Sequence, residues 1–187
     1  MTIDQILDDI YPIPDSSKSL VKKYISLIKY PKGQIIINAH KIESNVYFIK
    51  QGIARAFSND SENEITFWFG KEGSTVLSMM SYISNEKGYE DIELLEDSEL
   101  YQIKSSDLQD IFIKDIHLAN WGRKFAEKEL AKTEQLFISR QTKTATERYI
   151  ELLEKTPHLI QRVQLRYIAS YLGITQVSLS RIRAEIK

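Results

Sequence analysis

The chain of 187 residues contains no cysteine. Disulfide bonds, thiolate metal sites and iron–sulfur clusters of the usual kind are therefore excluded. No apolar run approaches the roughly 18 residues that indicate a membrane-spanning helix. The N-terminus also lacks the basic start and apolar centre of a signal peptide. These absences predict a cytoplasmic protein with no membrane partner.

Histidine is scarce as well, and its distribution argues against several classes of enzyme. His40, His117 and His158 are widely separated, and only His40 falls in the β-rich part of the sequence. A cupin-like metalloenzyme needs several histidine and carboxylate ligands on neighbouring strands. Glycine-rich phosphate loops and G-x-S-x-G motifs are also missing. We predict no catalytic residue, no metal and no resident cofactor, and a cupin-like enzyme is the least favoured alternative.

Charge is unevenly distributed along the chain. The segment 141–187 holds eight basic and four acidic residues and so carries +4, although the whole chain carries −1. The first 140 residues therefore carry −5. A basic segment on an acidic body is typical of a protein in which one part meets a polyanion.

The order of sequence patterns predicts an α+β fold. Helical spacing over 3–10 and 16–28 precedes a segment, Tyr30 to Ile103, in which short β-rich runs alternate with turn residues. Such a segment is typical of an antiparallel sandwich or barrel. Its acidic residues, from Glu62 to Glu96, are interpreted as solvated turn and strand positions. After residue 104 the pattern is helical again, with helices predicted over 105–113, 115–139 and 142–155.

The helix predicted over 115–139 is long for a chain of this size and must bury its apolar stripe. We predict that it packs against a second copy of itself, through Leu118, Trp121, Phe125 and Leu136. The alternative is that it packs on the β domain of its own chain. A homodimer is favoured because the stripe is long, although its spacing is not a clean heptad.

The segment QLRYIASYLGITQVSLSRIR, residues 164–183, has the pattern of a helix-turn-helix. Ala169 is small enough for two helices to cross, and Gly173 accepts the left-handed backbone of a tight turn. Thr175 is a suitable N-cap for the second helix. Glutamine, arginine and serine can hydrogen-bond to base edges and phosphates, which predicts DNA contacts by Thr175, Gln176, Ser178, Ser180, Arg181 and Arg183. A generic helical hairpin that binds a protein partner is the alternative.

The whole order of elements resembles the Crp/Fnr-type bacterial transcription regulators. The resemblance is carried by YPKGQIIINAHKIESNVYFIKQGIARAF, by GKEGSTVLS and by ASYLGITQVSLSRIR. It implies a jelly-roll-like β-roll (a double-stranded β-helix) over 1–114, a long dimerisation helix over 115–140 and a helix-turn-helix over 141–187 with a short or absent wing. It also implies that double-stranded DNA and a second copy of the chain are partners, with RNA polymerase as a further candidate.

The resemblance is weaker where family members bind cyclic nucleotides. Those members hold the ribose with a glutamate and neutralise the phosphate with an arginine about ten residues later. Here Ser74 follows Gly73 where the glutamate is expected, and the arginine position falls near Gly88 or Tyr89, with Lys87 as the nearest cation. We therefore expect an effector other than a cyclic nucleotide. The candidate pocket residues are Gly73, Ser74, Thr75, Ser78, Lys87 and Tyr89, unless Met79, Met80 and Tyr82 fill the space instead.

Overall fold

The computed structural model describes residues 1–59 and 64–186. Glu62, Lys187 and part of the turn predicted after Ser58 lie outside the described residues. The helices are α1 (Ile3–Ile10), α2 (Asp15–Lys22), α3 (Met79–Ser84), α4 (Ser105–Lys114), α5 (Ile116–Thr142), α6 (Ala145–Lys155), α7 (Pro157–Arg162), α8 (Leu165–Leu172) and α9 (Gln176–Glu185). The strands are β1 (Ser26–Tyr30), β2 (Ile35–Ile37), β3 (Asn45–Gln51), β4 (Ala54–Ser58), β5 (Ile65–Gly70), β6 (Thr75–Val76), β7 (Asp91–Leu94) and β8 (Ser98–Lys104).

The described strands form two four-stranded sheets, in the orders β1-β8-β3-β6 and β2-β7-β4-β5. In the first sheet β8 pairs antiparallel with β1 on one side and with β3 on the other. Apart from β4 and β5, the neighbouring strands of both sheets are not consecutive in the chain, as expected when two sheets wrap into a roll rather than a simple meander. Together with the flanking helices and the C-terminal helix pair, this architecture confirms the predicted α+β fold.

The largest buried cluster lies between the first sheet and the helices that cover it. Phe48 of β3 and Ile103 of β8 are fully buried, and they meet Leu7 of α1, Ile111 of α4 and Trp121 of α5. Apolar residues recur at helical spacing in α1 and α4 because each helix presents one face to this sheet. The core therefore fixes the beginning of α5 to the β-roll.

The predicted helix over 16–28 is wrong in its second half. Helix α2 ends at Lys22, and Ser26–Tyr30 forms strand β1, which pairs with Ser98–Gln102 of β8. The apolar residues of this segment fit either periodicity, but β8 offers a free edge whose backbone groups need hydrogen-bond partners. Pairing with that edge determines the strand.

The chain divides into two compact units. The first comprises Met1–Ala56 and Phe69–Glu129, and the second comprises Phe57–Trp68 and Leu130–Lys187. The division falls inside α5, and the segment 57–68 groups with the C-terminal helices. Of the described helices, none is both long enough and apolar enough to cross a membrane.

Candidate nucleic-acid interface and effector site

Helices α8 and α9 form a tight pair joined at Gly173. This glycine has φ +69°, and its N–H donates to the carbonyl groups of Ala169 and Ser170 at the end of α8. The Thr175 hydroxyl accepts a hydrogen bond from the Ser178 N–H at 3.1 Å and caps α9. Leu179 is fully buried and anchors α9. The turn glycine, the cap and the anchor therefore give the geometry that a helix-turn-helix requires.

One side of α9 faces solvent and carries polar groups. Gln176, Ser180 and Arg181 are exposed, whereas Ser178 and Arg183 are half-buried. Within the described part of the chain, the side chains of Gln176, Arg181 and Arg183 form no hydrogen bond or ion pair. Val177 lies among them and is 62% exposed. An exposed apolar group on a polar face can contact a thymine methyl group, a role that the sequence-based site did not include.

Besides the capping Thr175, the predicted DNA-binding hydroxyl groups of Ser178 and Ser180 also form contacts within the helix and its cap. The Ser180 Oγ donates to the Gln176 carbonyl oxygen at 3.0 Å, and the Ser178 Oγ lies 2.9 Å from the Thr175 Oγ1. Both groups keep acceptor lone pairs, but the donors that α9 presents to a partner are Gln176 and Arg181. These two side chains are thus the best placed of the predicted set.

The end of α8 is held by arginines from the neighbouring helices. The Arg148 Nη2 donates to the Leu172 carbonyl oxygen at 2.9 Å, and the Arg140 Nη2 donates to that of Tyr171 at 3.3 Å. Carbonyl groups at a helix C-terminus have no partner within the helix, and cations stabilise them. The resemblance to Crp/Fnr regulators did not identify these arginines, because their role depends on helix packing.

Glu151 joins α6 to the end of α5. Its carboxylate forms ion pairs with Lys143 at 2.8 Å and Lys155 at 2.5 Å. The hydrogen bond from Lys143 and then that from Lys155 lower the pKa of Glu151 to about 2. The charged form is therefore favoured in the folded state.

We predict that Glu151 makes the stability depend on pH. Because its pKa is lower in the folded state than its usual value of about 4.3, it stabilises the fold above that pH. This contribution is lost as the pH falls towards 2. As the pH is lowered from about 4.3 towards 2, the melting temperature of the Glu151→Gln variant should therefore fall less steeply than that of the unmodified chain. Circular dichroism measures both melting temperatures. Glu154→Gln, at an exposed position one turn away, is the control and should behave like the unmodified chain.

Two hydrogen bonds of Ser170 link α8 to the segment 57–68 within the C-terminal unit. The Ser170 Oγ accepts a hydrogen bond from the Thr66 N–H at 2.8 Å and donates to the Glu64 carbonyl oxygen at 2.9 Å. Ser170 was not among the predicted site residues. No local pattern identifies it, because its partners are about a hundred residues away in sequence.

The predicted effector residues occupy two different environments. Gly73, with φ +89°, Ser74 and Thr75 lie at the turn before β6 and at its start. The Ser74 Oγ accepts a hydrogen bond from the Lys71 N–H at 3.0 Å, which is a local turn contact. Ser74 is therefore occupied in holding the turn. The Thr75 Oγ1, by contrast, is buried and has no hydrogen-bond partner among the residues that the structure describes.

Ser78 lies next to Gly88, whereas Ser74 does not take part in this contact. A Cβ atom at Gly88 would lie 2.6 Å from the Ser78 Oγ and 3.2 Å from the Glu90 Oε1. Ser78 is 1% and Glu90 4% exposed, so Glu90 is not the solvated position that the sequence predicts. Lys87 is exposed and Tyr89 is half exposed. The buried polar group of this region therefore consists of Ser78, Gly88 and Glu90.

The residues predicted for a dimer interface also divide into two groups. Leu118 is fully buried and Trp121 is 2% exposed, both in the core of the first unit, and Phe125 packs against that core. The prediction that Leu118 and Trp121 contact a second chain is thus corrected, because their own β-roll and α1 cover them. Leu136 is half-buried, and the strongly exposed apolar residues of α5 are Ile116, Leu130, Phe137 and Ile138.

The sequence predicted no metal site. In residues 1–59 and 64–186, no group of three or more histidine, aspartate or glutamate side chains is arranged to hold a metal ion.

Like Glu90, Glu93 was predicted to be solvated, but it forms an ion pair with the buried Arg55 at 2.8 Å. That carboxylate therefore neutralises a buried guanidinium.

Known proteins share both a sequence family and the overall fold with parts of this chain. Residues 27–115 match the cyclic nucleotide-binding domain family, whereas no curated protein sequence matches significantly. FixK2 from Bradyrhizobium japonicum is similar over 87% of this chain and 84% of its own, with a TM-score of 0.76 and 22% identity. The c-di-GMP-responsive global regulator CLP from Xanthomonas campestris is similar over 92% and 91%, with a TM-score of 0.73 and 16% identity. A protein from Eubacterium rectale assigned to the Crp/Fnr family of transcriptional regulators is similar over 93% and 85%, with a TM-score of 0.71 and 19% identity. The fold is therefore that of Crp/Fnr-type regulators, as the sequence predicted.

Proposed function

We propose that this chain, in which residues 27–115 match the cyclic nucleotide-binding domain family and the fold is that of Crp/Fnr-type regulators, is a sequence-specific DNA-binding transcription regulator. The observation that carries the proposal is the exposed face of α9. This face presents Gln176 and Arg181 to solvent, and the Thr175 cap and the packing of α9 on α8 hold the helix in place. Glutamine can pair with adenine and arginine with guanine in the major groove. Action on RNA polymerase is part of the same proposal, and no residue is assigned a catalytic role.

Selection of genomic DNA fragments by the purified protein across a salt series tests this function. We expect enrichment of a short palindrome, with half-sites about one helical turn apart. Binding should weaken steeply with salt, because phosphate contacts release counterions. Binding of a protein partner that is insensitive to salt, with no DNA enriched, would favour the alternative that the C-terminal helices bind another protein.

The proposed regulator is a homodimer that associates through α5. Leu130 and Phe137 are 71% and 64% exposed. They are seven residues apart and therefore lie on nearly the same side of the helix. Exposed apolar groups at this spacing are typical of helix pairs. A palindromic DNA site would follow from the two-fold symmetry of such a dimer.

Phe137→Glu should dissociate the dimer. A charge placed in an apolar interface costs at least about 2 kcal/mol, so the dissociation constant should rise by at least about 30-fold. Sedimentation of the unmodified and variant chains over a concentration series measures it. Gln135→Glu introduces the same charge at an exposed position on the other side of the helix and is the control. Equal dissociation constants for Phe137→Glu and the unmodified chain would contradict a dimer through this face.

The β-roll is the proposed effector-sensing part, and its effector is proposed to be other than a cyclic nucleotide. The stretch from residue 56 to residue 122 contains no arginine. A phosphate bound beside Ser78 and Gly88 would therefore meet the carboxylate of Glu90 instead of a guanidinium group.

A further inference from the structure

Three buried oxygen atoms of the β-roll have no hydrogen-bond partner among the described residues. They are the Thr75 Oγ1, the Ser78 Oγ and the Glu90 Oε1. An unpaired buried carboxylate oxygen is unfavourable, because the desolvated group has lost its hydrogen bonds to water. Native proteins leave few such groups, so each one needs an explanation, and a bound water, ion or ligand is one of them.

Two of these oxygen atoms point towards the same place. Both the Ser78 Oγ and the Glu90 Oε1 lie close to where a side chain on residue 88 would begin, and residue 88 is glycine. The backbone there is fixed: the Gly88 N–H donates to the Lys41 carbonyl at 3.2 Å, and the Gly88 carbonyl accepts from the His40 N–H at 2.8 Å. Only the other carboxylate oxygen, the Glu90 Oε2, has a partner, the Tyr89 N–H at 3.1 Å.

The chemistry of the missing partner follows from these groups. A carboxylate is an acceptor, and a serine hydroxyl that faces it offers lone pairs as well. A partner of the carboxylate must therefore donate, the same donor can be shared with the lone pairs of the Ser78 hydroxyl, and a positive charge would compensate the buried negative one. Calcium and magnesium ions need six or more oxygen ligands, and no cluster of three acidic or histidine side chains is present in the described chain.

We propose that Ser78, Gly88 and Glu90 form a binding subsite for a small organic cation with N–H donors, either a protonated amine or a guanidinium group. Its chemistry is opposite to that of a phosphate site. Met79 and Tyr89, which adjoin Ser78 and Glu90 in the chain, are 50% and 51% exposed, although the oxygen atoms of Ser78 and Glu90 are themselves buried. That the cation is the effector rests on the proposed regulatory function, whereas its binding does not.

Binding is measured on the full chain without DNA, with methylammonium and methylguanidinium as probes. A ligand that binds only the folded state raises the melting temperature and gives a saturable heat in calorimetry. Tetramethylammonium has the same charge but no N–H donor and should not bind. Cyclic AMP and inorganic phosphate should neither bind nor compete. Occupation of the subsite by water alone would leave every probe without effect and would overturn the proposal, as would equal binding of tetramethylammonium.

Substitutions locate the binding. Glu90→Gln removes the charge with little change of shape and should weaken binding of methylguanidinium at least about 10-fold. Ser78→Ala should weaken it about 3- to 10-fold. Gly88→Ala places a methyl group against both oxygen atoms and should abolish it. Glu86→Gln, at an exposed position nearby, is the matched control. If Glu90→Gln fails to fold, Ser78→Ala and the probe without N–H donors still decide the question, and unchanged binding in Ser78→Ala and Gly88→Ala would overturn the proposal.

A final measurement separates this inference from the proposed function. DNA affinity is determined with and without saturating methylguanidinium. Loss of DNA binding under all conditions while the cation still binds would leave the subsite intact and contradict the regulator. DNA binding without any cation binding would leave the regulator intact and contradict the subsite.

Discussion

Replacing Trp121 with alanine should lower the free energy of unfolding by about 3–5 kcal/mol, the usual range for a buried tryptophan. The indole is 2% exposed. Its ring stacks on that of Phe125 with 6.0 Å between the ring centroids, and it meets the ring of Phe48 edge-on with 6.1 Å between the centroids. Its Nε1–H donates to the Leu7 carbonyl oxygen at 2.9 Å, and that oxygen would lose this buried partner. Trp121 thus joins α1, β3 and α5, and the cavity left behind would be shared by all three.

Urea denaturation followed by far-ultraviolet circular dichroism measures this effect. Trp121→Phe keeps an aromatic ring and loses the hydrogen bond, so it should cost clearly less than Trp121→Ala. Leu130→Ala removes an exposed apolar side chain of the same helix and should change the stability by no more than about 0.5 kcal/mol in the monomer. If Trp121→Ala and Leu130→Ala were equally stable, the assignment of Trp121 to the core would be wrong.

Arg181→Ala should weaken binding to the selected palindrome by about 5- to 150-fold, the range that corresponds to losing one bidentate base contact of about 1–3 kcal/mol. A dimer would lose two such contacts, so the larger value is expected. Arg181 is exposed and forms no ion pair within the described residues, so its removal should leave the melting temperature unchanged. The discrimination between the palindrome and other sequences should fall with the affinity.

Two further variants distinguish base recognition from simple charge. Arg181→Lys keeps the positive charge but lacks the planar fork of a guanidinium, so it should restore salt-dependent affinity without restoring discrimination. Lys71→Ala removes one exposed charge from the β-roll unit and should have no effect on DNA. Full discrimination in Arg181→Lys would show that Arg181 contacts phosphate rather than a base.

Local sequence was sufficient wherever the signal lies within a few residues. The Gly173 turn, the Thr175 cap and the amphipathic helices around them were all predicted correctly, since turn and cap preferences are properties of single residues in a short segment. The exposed α9 face followed from the same spacing. The prediction for segment 26–30 failed for the opposite reason: its partner is the edge of β8, about seventy residues later, and both periodicities fit its apolar residues.

The sequence by itself determined the order of most elements and the helix pair proposed to meet DNA, because periodicity and turn residues encode them locally. Tertiary structure alone decided which apolar residues of α5 are core and which are exposed, since Leu118 and Leu130 are the same residue type on one helix and differ only in what covers them. It also decided that Glu90 is buried next to Ser78 and Gly88. Burial depends on contacts between distant segments, and for that reason no local pattern could predict it.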